Sequence, residues 1–424
     1  MRNEKKETRE YLTNSSASLE ENKRVKLNTD TDNSDTVENV LVLQGGGSLG
    51  AFGCGVFKAI SNYNIRLDIT AGTSIGGINA AIIAGSKDEE HPEKLLERFW
   101  LELSESFVDV DHIFSPPSDF IPYKKNSHSK NYDMKLRQVR SFYSSAIFGN
   151  DKMFRPRWRQ ETAFSDPEFL TPQNWTYLYD HTPLVNTLEN YIDYDKLRPN
   201  GNPNSRLILT AVNVLNAEPL TFDSAREQIT PKHILATSAY PLYNFKWVEV
   251  EKGVYCWDGG LLSNTPLREV IDASPVNDKR IFLVENYPKK VDSLPRSIPE
   301  VHHRARDIMF SDKTKHNIAM SRVITMYLKY IDELYKIIED HVDLSNIDQA
   351  KLKKMHHKYK KIKREHGTEI KDILYITRDE PYPHIYENAD FSPQAIKASI
   401  KEGEIKTAEI LNRKMGPQYF KNVV

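Results

Sequence analysis

The sequence has little cysteine, little net charge and no long hydrophobic run, and each shortage removes a class of protein. Cys54 and Cys256 are the only 2 cysteines among 424 residues. They cannot build a disulfide scaffold, neither sits in a C-x-x-C or Cys/His spacing that holds a metal, and such usage fits a reducing, cytoplasmic compartment. Formal net charge is −1, so no global field draws the chain to nucleic acid or to an anionic surface, and any such attraction must be local. No stretch is apolar for the length that a bilayer-spanning helix needs. Met1 to Glu38 is polar and charged, lacks the apolar core of a signal peptide, and is expected to be a disordered tail.

What remains is a globular composition, 39% hydrophobic and 28% charged, in a chain with room for two or three domains. Its chemistry is concentrated between Val42 and Ala84, in two successive strand–turn–helix units. Val40-Leu41-Val42-Leu43 is a short apolar run of buried-strand type, and it leads into Gly45-Gly46-Gly47 and a helical pattern from Leu49 to Ile60. Ile69-Thr70-Ala71 leads into Gly72-Thr73-Ser74-Ile75-Gly76 and a helix of small residues, Gly77 to Ala84. This second unit matches the G-x-S-x-G nucleophile elbow, in which a sharp strand-to-helix turn exposes the serine. Gly72 and Gly76 let neighbouring backbone approach, and the helix N-terminus favours developing negative charge.

The first unit has two readings. Gly45-x-Gly47-x-x-Gly50 fits a dinucleotide fingerprint, with Asp68 near the place of a ribose-binding acid. The same loop serves as an oxyanion hole, using backbone N–H groups near Gly46, Gly47 and Ser48. Only an acyl-transfer reading gives Ser74 a purpose as well, since one motif creates negative charge and the other receives it.

Beyond a helical segment at Leu95 to Phe107, periodicity fades between about residues 115 and 175, where Pro116, Pro117, Pro122, Pro156, Pro167 and Pro172 interrupt the chain. This insertion is expected to be irregular. Between Lys124 and Arg159 it interleaves basic residues with aromatics such as Tyr132, Phe142, Phe154 and Trp158. Such a mixture suits either a lid that meets anionic headgroups and acyl tails, or an insertion whose rings pack on the domain. Nothing else in the chain points to nucleic acid.

Regular structure returns with a helix at Thr182 to Tyr191, a strand at Leu207 to Val212 with Leu220 to Phe222 as its hairpin neighbour, and a short helix at His233 to Thr237. His233 is the nearest histidine candidate for a base, although a lone histidine on a short helix is more often structural. A further strand delivers Asp258 to Gly259-Gly260, and a helix follows near Pro266, with Asn264 or Thr265 as its expected cap. Arg280 to Glu285 reads as another core strand.

Taken together, Gly45-Gly46-Gly47-Ser48-Leu49-Gly50, Gly72-Thr73-Ser74-Ile75-Gly76 and Asp258-Gly259-Gly260 occur in the order and context of the patatin-like phospholipases, and the chain resembles that family over about Asn39 to Pro288. The resemblance implies a three-layer α/β/α fold with a mainly parallel central sheet. It implies a Ser–Asp dyad: Ser74 as nucleophile, Asp258 as its base, and the backbone of Gly45, Gly46, Gly47, Ser48 and Gly50 as oxyanion hole. It implies a lipid or phospholipid ester as substrate, with neither cofactor nor metal. Leu49 stands where the family often carries a basic residue. A histidine base downstream of Asp258, at His302 or His303, is the mechanistic alternative. A storage polyester as substrate, or a non-catalytic nucleotide site at Gly45–Gly50, are the functional ones.

The remainder, 291–424, is expected to be a mostly helical extension packed on a catalytic domain of 39–290. Ile318 to Ile338 is amphipathic, with Val323, Ile324, Tyr327, Ile331, Leu334, Tyr335 and Ile338 on one face. Lys351 to Arg364 is strongly basic with a thin apolar seam, which suits a solvated face or a peripheral membrane helix. Ile370 to Thr377 reads as a strand and Ser392 to Arg413 as a last helix. Arg304 to Met309, with Ser311 to Thr314, resembles an extension found on some bacterial patatin-like proteins.

Overall fold

In the computed structural model, residues 37–106, 129–159, 167–311, 314–341, 348–380 and 387–415 are described. Most of the expected tail, residues 107–114, and the segments 115–128 and 160–166 of the insertion lie outside them.

The frame is an eight-stranded sheet whose central strands are short apolar runs buried on both faces. Its strands are β1 (Val37–Leu43), β2 (Ile69–Gly72), β5 (Arg206–Asn213), β6 (Pro219–Asp223), β7 (Val248–Glu251), β8 (Val254–Asp258), β9 (Asp278–Glu285) and β10 (Ile370–Thr377). The order is β10-β9-β1-β2-β5-β8-β7, with β6 paired to β5 off this path, and β3 (Arg155–Pro156) and β4 (Tyr179–Asp180) form a separate small ribbon. Pairing is parallel from β10 through β5 and antiparallel at β6, β8 and β7. β1 begins at Val37, so Glu38 belongs to the sheet rather than to a tail, and its carboxylate accepts from the buried Lys279 ammonium at 2.8 Å.

Alternation along the strands sorts side chains into two apolar layers. Leu41 and Leu43 join Phe52, Phe99, Trp100, Ile396 and Leu411 on one face. Val40 and Val42 join Ile69, Ile208, Val270, Leu283 and Ile373 on the other. The covering helices are α1 (Ala51–Asn62), α2 (Ile75–Ala84), α3 (Pro92–Glu105), α4 (Ser129–Phe148), α5 (Pro183–Leu188), α6 (Pro231–Ser238), α7 (Leu267–Ala273), α8 (Ile298–Phe310), α9 (Thr314–His341), α10 (Gln349–His366) and α11 (Pro393–Met415). The result is the expected three-layer α/β/α fold with a mainly parallel sheet and a largely helical C-terminal region. Residues Val37–Val424 form one compact unit.

Five elements differ from the sequence reading. The insertion contains a helix of 20 residues, α4, because its prolines all fall outside 123–155 and leave that stretch free to coil. β10 joins the sheet as the parallel neighbour of β9, and α11 lies on α1, so the last strand and helix complete the core. Neither Asn264 nor Thr265 caps α7, whose N-cap is Pro266 without a side-chain hydrogen bond. The apolar face of α9 points outward, with Val323, Ile324, Tyr327, Ile331 and Leu334 each at least 40% exposed. Leu328 at the edge of that face is buried, and Tyr335 within it stacks on Tyr359 of α10.

Register places the chemistry. Leu43 at the end of β1 pairs with Gly72 at the end of β2, Gly72 pairs with Leu209, and Ala211 pairs with Asp258. Because β8 runs antiparallel to β5, its last residue arrives about two rungs, some 7 Å along the strand, from the elbow rather than at the opposite rim.

Candidate active site

Ser74 stands between β2 and α2 with a φ of 58°. A side chain rarely adopts that backbone region, and it persists only where surrounding bonds fix it. Here the Ser74 N–H donates to the Thr237 carbonyl at 3.0 Å and Gly76 N–H to the Thr73 carbonyl at 2.9 Å. The Thr73 and Thr210 hydroxyls, both buried, meet at 2.7 Å. Gly72 and Gly76 pack backbone to backbone: a Cβ on Gly72 would lie 2.1 Å from the Gly76 oxygen. The elbow expected from G-x-S-x-G is present, with its serine on the wall of a cavity that Gly46, Gly47 and Asp258 also line.

The glycine loop follows β1 directly and crosses above Ser74. The Gly45 N–H is already engaged, donating to the Asn264 carbonyl at 3.3 Å. Among the described residues, the N–H groups of Gly46, Gly47 and Ser48 have no hydrogen-bond acceptor. The same holds for Ile75, the residue after the serine, a donor that the elbow pattern itself should have suggested. Gly50 lies deeper, against Ile75 and Trp100. The loop is anchored from beneath by Gln44, whose amide oxygen accepts from the N–H of Asn286 at 2.7 Å while its amide nitrogen donates to the Phe310 carbonyl at 2.9 Å. Asn286 returns the bond by donating to the Gln44 and Gly45 carbonyls. These two amides escaped the sequence reading because nothing local marks them.

Asp258 ends β8, and only 1% of its surface is exposed. Its Oδ1 accepts the Gly260 N–H at 2.7 Å, within the turn formed by Gly259 and Gly260. Ser74 lies on the same cavity wall, near enough for its hydroxyl to favour the ionised form of the carboxyl. Among the described residues no cation offsets its burial, so desolvation pushes the carboxyl up to about 7, with Gly260 and Ser74 pulling the other way.

Around this pair the wall is apolar and aromatic: Met153, Leu184, Tyr240, Phe245 and Phe310 line the cavity. Leu49 is buried beside Tyr240, Tyr287 and Phe310, so it adds apolar wall where a basic side chain would add charge. His181, which the sequence reading passed over, also lines the cavity. Its Nε2 lies 2.9 Å from the Leu235 carbonyl, and burial holds the ring below the usual histidine range.

The other histidines are elsewhere. His233 closes a capping box with Thr230 at the start of α6, and burial holds its ring down at about 4. Neither His302 nor His303 lines the cavity among the described residues. His303 belongs to a buried cluster on α8, where its Nε2 is 2.9 Å from Glu380 and 3.3 Å from Asp307. That trio has the spacing of metal ligands. The donor set does not fit a cation, because Arg306 donates to His303 Nδ1 at 2.8 Å. The neutral ring then carries its proton on Nε2, the nitrogen that faces both acids. Asp68 precedes β2, where it accepts from the Asn39 N–H at 2.8 Å, at the opposite end of the strands from the glycine loop. A nucleotide held by Gly45–Gly50 would find no ribose acid there.

Among the basic residues of the insertion whose side chains are described, one is buried and others make surface ion pairs. Arg157 is buried over the rings of Trp175 and Tyr177, Lys152 pairs with Glu102 at 2.7 Å, and Arg155 and Arg159 both reach Asp151. Phe154 packs edge-on against Tyr179 and Phe245. Lys124 and Lys125 lie outside the described residues.

A mainly parallel sheet that carries a serine elbow, an acid and a glycine loop on adjoining rungs is an α/β architecture of hydrolase type. Residues 41–271 match the family described as patatin-like phospholipase. That is more than half of the chain, which therefore belongs to this family of lipid acyl hydrolases. No curated protein matches the sequence. Among solved structures, the chain is similar to VipD from Legionella pneumophila at 15% identity and a TM-score of 0.35, over 89% of this chain and 67% of that one. It is similar to ExoU in the ExoU–SpcU heterodimer from the type III secretion system of Pseudomonas aeruginosa at 12% identity and a TM-score of 0.31. It covers 89% of this chain and 51% of that one, so it spans about half the length of ExoU. The family assignment rests on the sequence match and not on these distant likenesses. Among the described residues no helix is long and apolar enough to cross a membrane.

The raised carboxyl makes a stability prediction. Asp258 ionises near 7 when folded and near its ordinary 3.8 when unfolded. Between those values the folded chain keeps a proton that the unfolded chain has lost, so stability falls as pH rises from about 4 to about 7 and then levels. Asp258→Asn keeps the acceptor for Gly260 but cannot ionise. Its Tm should exceed that of the unchanged protein by a few degrees at pH 8 and by much less at pH 5. Equal differences at both pH values would count against a buried ionisable carboxyl.

Proposed function

We propose that the chain is a serine lipid-ester hydrolase working through a Ser74–Asp258 dyad. The observation that carries this reading is one cavity lined by both the strained Ser74 and the buried Asp258 carboxyl, which no cation among the described residues neutralises. Burial makes Asp258 a stronger base than an ordinary carboxylate, and the hydroxyl of Ser74, once turned to it across their shared cavity, gives it a proton to take. Serine then attacks the ester carbonyl, and the oxyanion that forms is received by the free N–H groups of Gly46 and Gly47, with Ile75 at the helix N-terminus. The protonated Asp258 passes its proton to the leaving alkoxide, which leaves an acyl-Ser74. Water, deprotonated by the same carboxylate, releases the fatty acid and restores the serine. The apolar wall from Met153 to Phe310 suits an acyl chain and excludes the water that would weaken these electrostatics. The same machinery would open a storage polyester, and comparison of rates on phospholipid, monoacylglycerol and hydroxyalkanoate oligomers separates these substrates.

A fluorophosphonate probe should modify Ser74, as read by peptide mapping. Ser74→Ala and Asp258→Asn should each lose at least about 1,000-fold in kcat on a short nitrophenyl ester while remaining folded. In the unchanged protein kcat/KM should rise with pH through about 7, because the base must be ionised. Undiminished turnover in either variant, or a labelled residue other than Ser74, would refute the dyad.

Peripheral hold on a lipid surface is the second part of the reading. It is supported by the lysines of α10 within Lys351–Arg364 and by the outward apolar face of α9. The Ser74→Ala protein should float with anionic vesicles in low salt, and Tyr327→Ser together with Ile331→Ser should weaken flotation. Flotation equal with and without those changes would remove α9 from the contact.

A further inference from the structure

The oxyanion loop has a second neighbour, and it comes from the far end of the chain. Ser48 turns its hydroxyl away from the cavity and donates to the Glu387 carbonyl at 2.9 Å. Gly47 lies against the next peptide, so closely that a Cβ there would be 2.3 Å from the Asn388 oxygen, and its φ of 59° is one that side chains rarely adopt. The Asn388 amide donates to the hydroxyl of Tyr243, which lines the cavity, at 2.7 Å. Ser141 of α4 donates to the Ala389 carbonyl at 3.2 Å. One short turn thus touches the loop, the cavity wall and the insertion helix.

That turn is held by buried charge. Arg378 donates to the Glu387 carboxylate at 2.8 Å and Arg306 donates to it at 3.2 Å. Arg306 also reaches the Asn388 side chain at 3.3 Å, and its guanidinium lies 5.3 Å over the ring of Tyr287. Arg378 donates from Nε to the Asn286 carbonyl at 3.0 Å, and Asn286 is the residue that grips Gly45 from below. Burying such a cluster is expensive, and well-packed apolar residues of similar size would often be at least as stabilising. A function that needs directional bonds accounts for it better than stability does. Arg306, Arg378 and Glu387 all lie beyond residue 271, where the family match ends.

We propose that the turn Glu387–Ala389 is a positioning element for the oxyanion loop, with Glu387, Arg306 and Arg378 holding it against Gly47 and Ser48. The C-terminal region thereby fixes main-chain donors that would otherwise be free to drift, since an isolated glycine-rich loop has many conformations of similar energy. A displacement of about 1 Å in such donors costs up to about 100-fold in rate. The proposal rests on the hydrolase reading above.

The test uses the full chain and a soluble nitrophenyl ester, so that membrane contact plays no part. Ser48→Ala removes a single hydroxyl and should lower kcat by about 10-fold with KM within about twofold, and the rate of fluorophosphonate labelling should fall in proportion. Glu387→Ala should lose more than Ser48→Ala, and Glu387→Gln, which still offers an oxygen to Arg378, should recover most of the loss. Should Glu387→Ala fail to fold, Ser48→Ala decides alone. A folded Ser48→Ala protein with unchanged kcat and labelling rate, or with only its Tm lowered, overturns the proposal. An unchanged protein that neither hydrolyses the ester nor reacts with the probe overturns the hydrolase reading instead.

Discussion

The structure turns on a carboxyl group buried without a cation. Asp258 has one backbone N–H and one serine hydroxyl to stabilise its charge, which is too little to keep it an ordinary acid. A fold that wanted only stability would place an amide or an apolar residue there. Keeping an acid there suits the proposed dyad, since Ser74 lines the same cavity. The strained backbone at Ser74 belongs to the same arrangement, because the turn that costs conformational energy is the one that aims the hydroxyl.

The sheet makes this meeting inevitable once its strands are in register. β1 ends in the glycine loop, β2 ends in the elbow, and β8, entering from the opposite direction, ends in the acid. A one-residue slip of β8 would turn Asp258 to the other face. The buried hydroxyl pair Thr73–Thr210 and the Gln44–Asn286 amide pair tie these strand ends together, and neither pair touches the cavity chemistry directly. Beyond the family domain, β10 and α11 complete the core, and Arg378 at the end of β10 bears on the loop through Asn286.

What was legible in the sequence was local. Gly72-x-Ser74-x-Gly76 and Asp258-Gly259-Gly260 are short-range solutions to a tight backbone problem, so their meaning survives without knowledge of the fold. The buried strands around Val40, Ile69, Leu207 and Ile281 were readable because runs buried on both faces are apolar throughout. Long-range pairings were not readable. Nothing in Ile370–Thr377 says that it lies beside β9, and nothing in His181, Asn286 or Glu387 distinguishes them from any polar residue until the chain is folded. The helix α4 was hidden by its basic and aromatic composition, which blurs a 3.6-residue period. The periodicity of α9 was readable but the direction of its apolar face was not, since amphipathicity shows that a face is apolar without showing what covers it.

The most direct test is a crystal structure of the protein inactivated by a small alkyl fluorophosphonate. Covalent density should extend from Ser74 Oγ, with the phosphoryl oxygen within hydrogen-bond distance of the Gly46 or Gly47 N–H and the Asp258 carboxyl beside the bridging oxygen. A phosphorus bonded elsewhere, or a phosphoryl oxygen turned to solvent with Asp258 remote from it, would contradict the account.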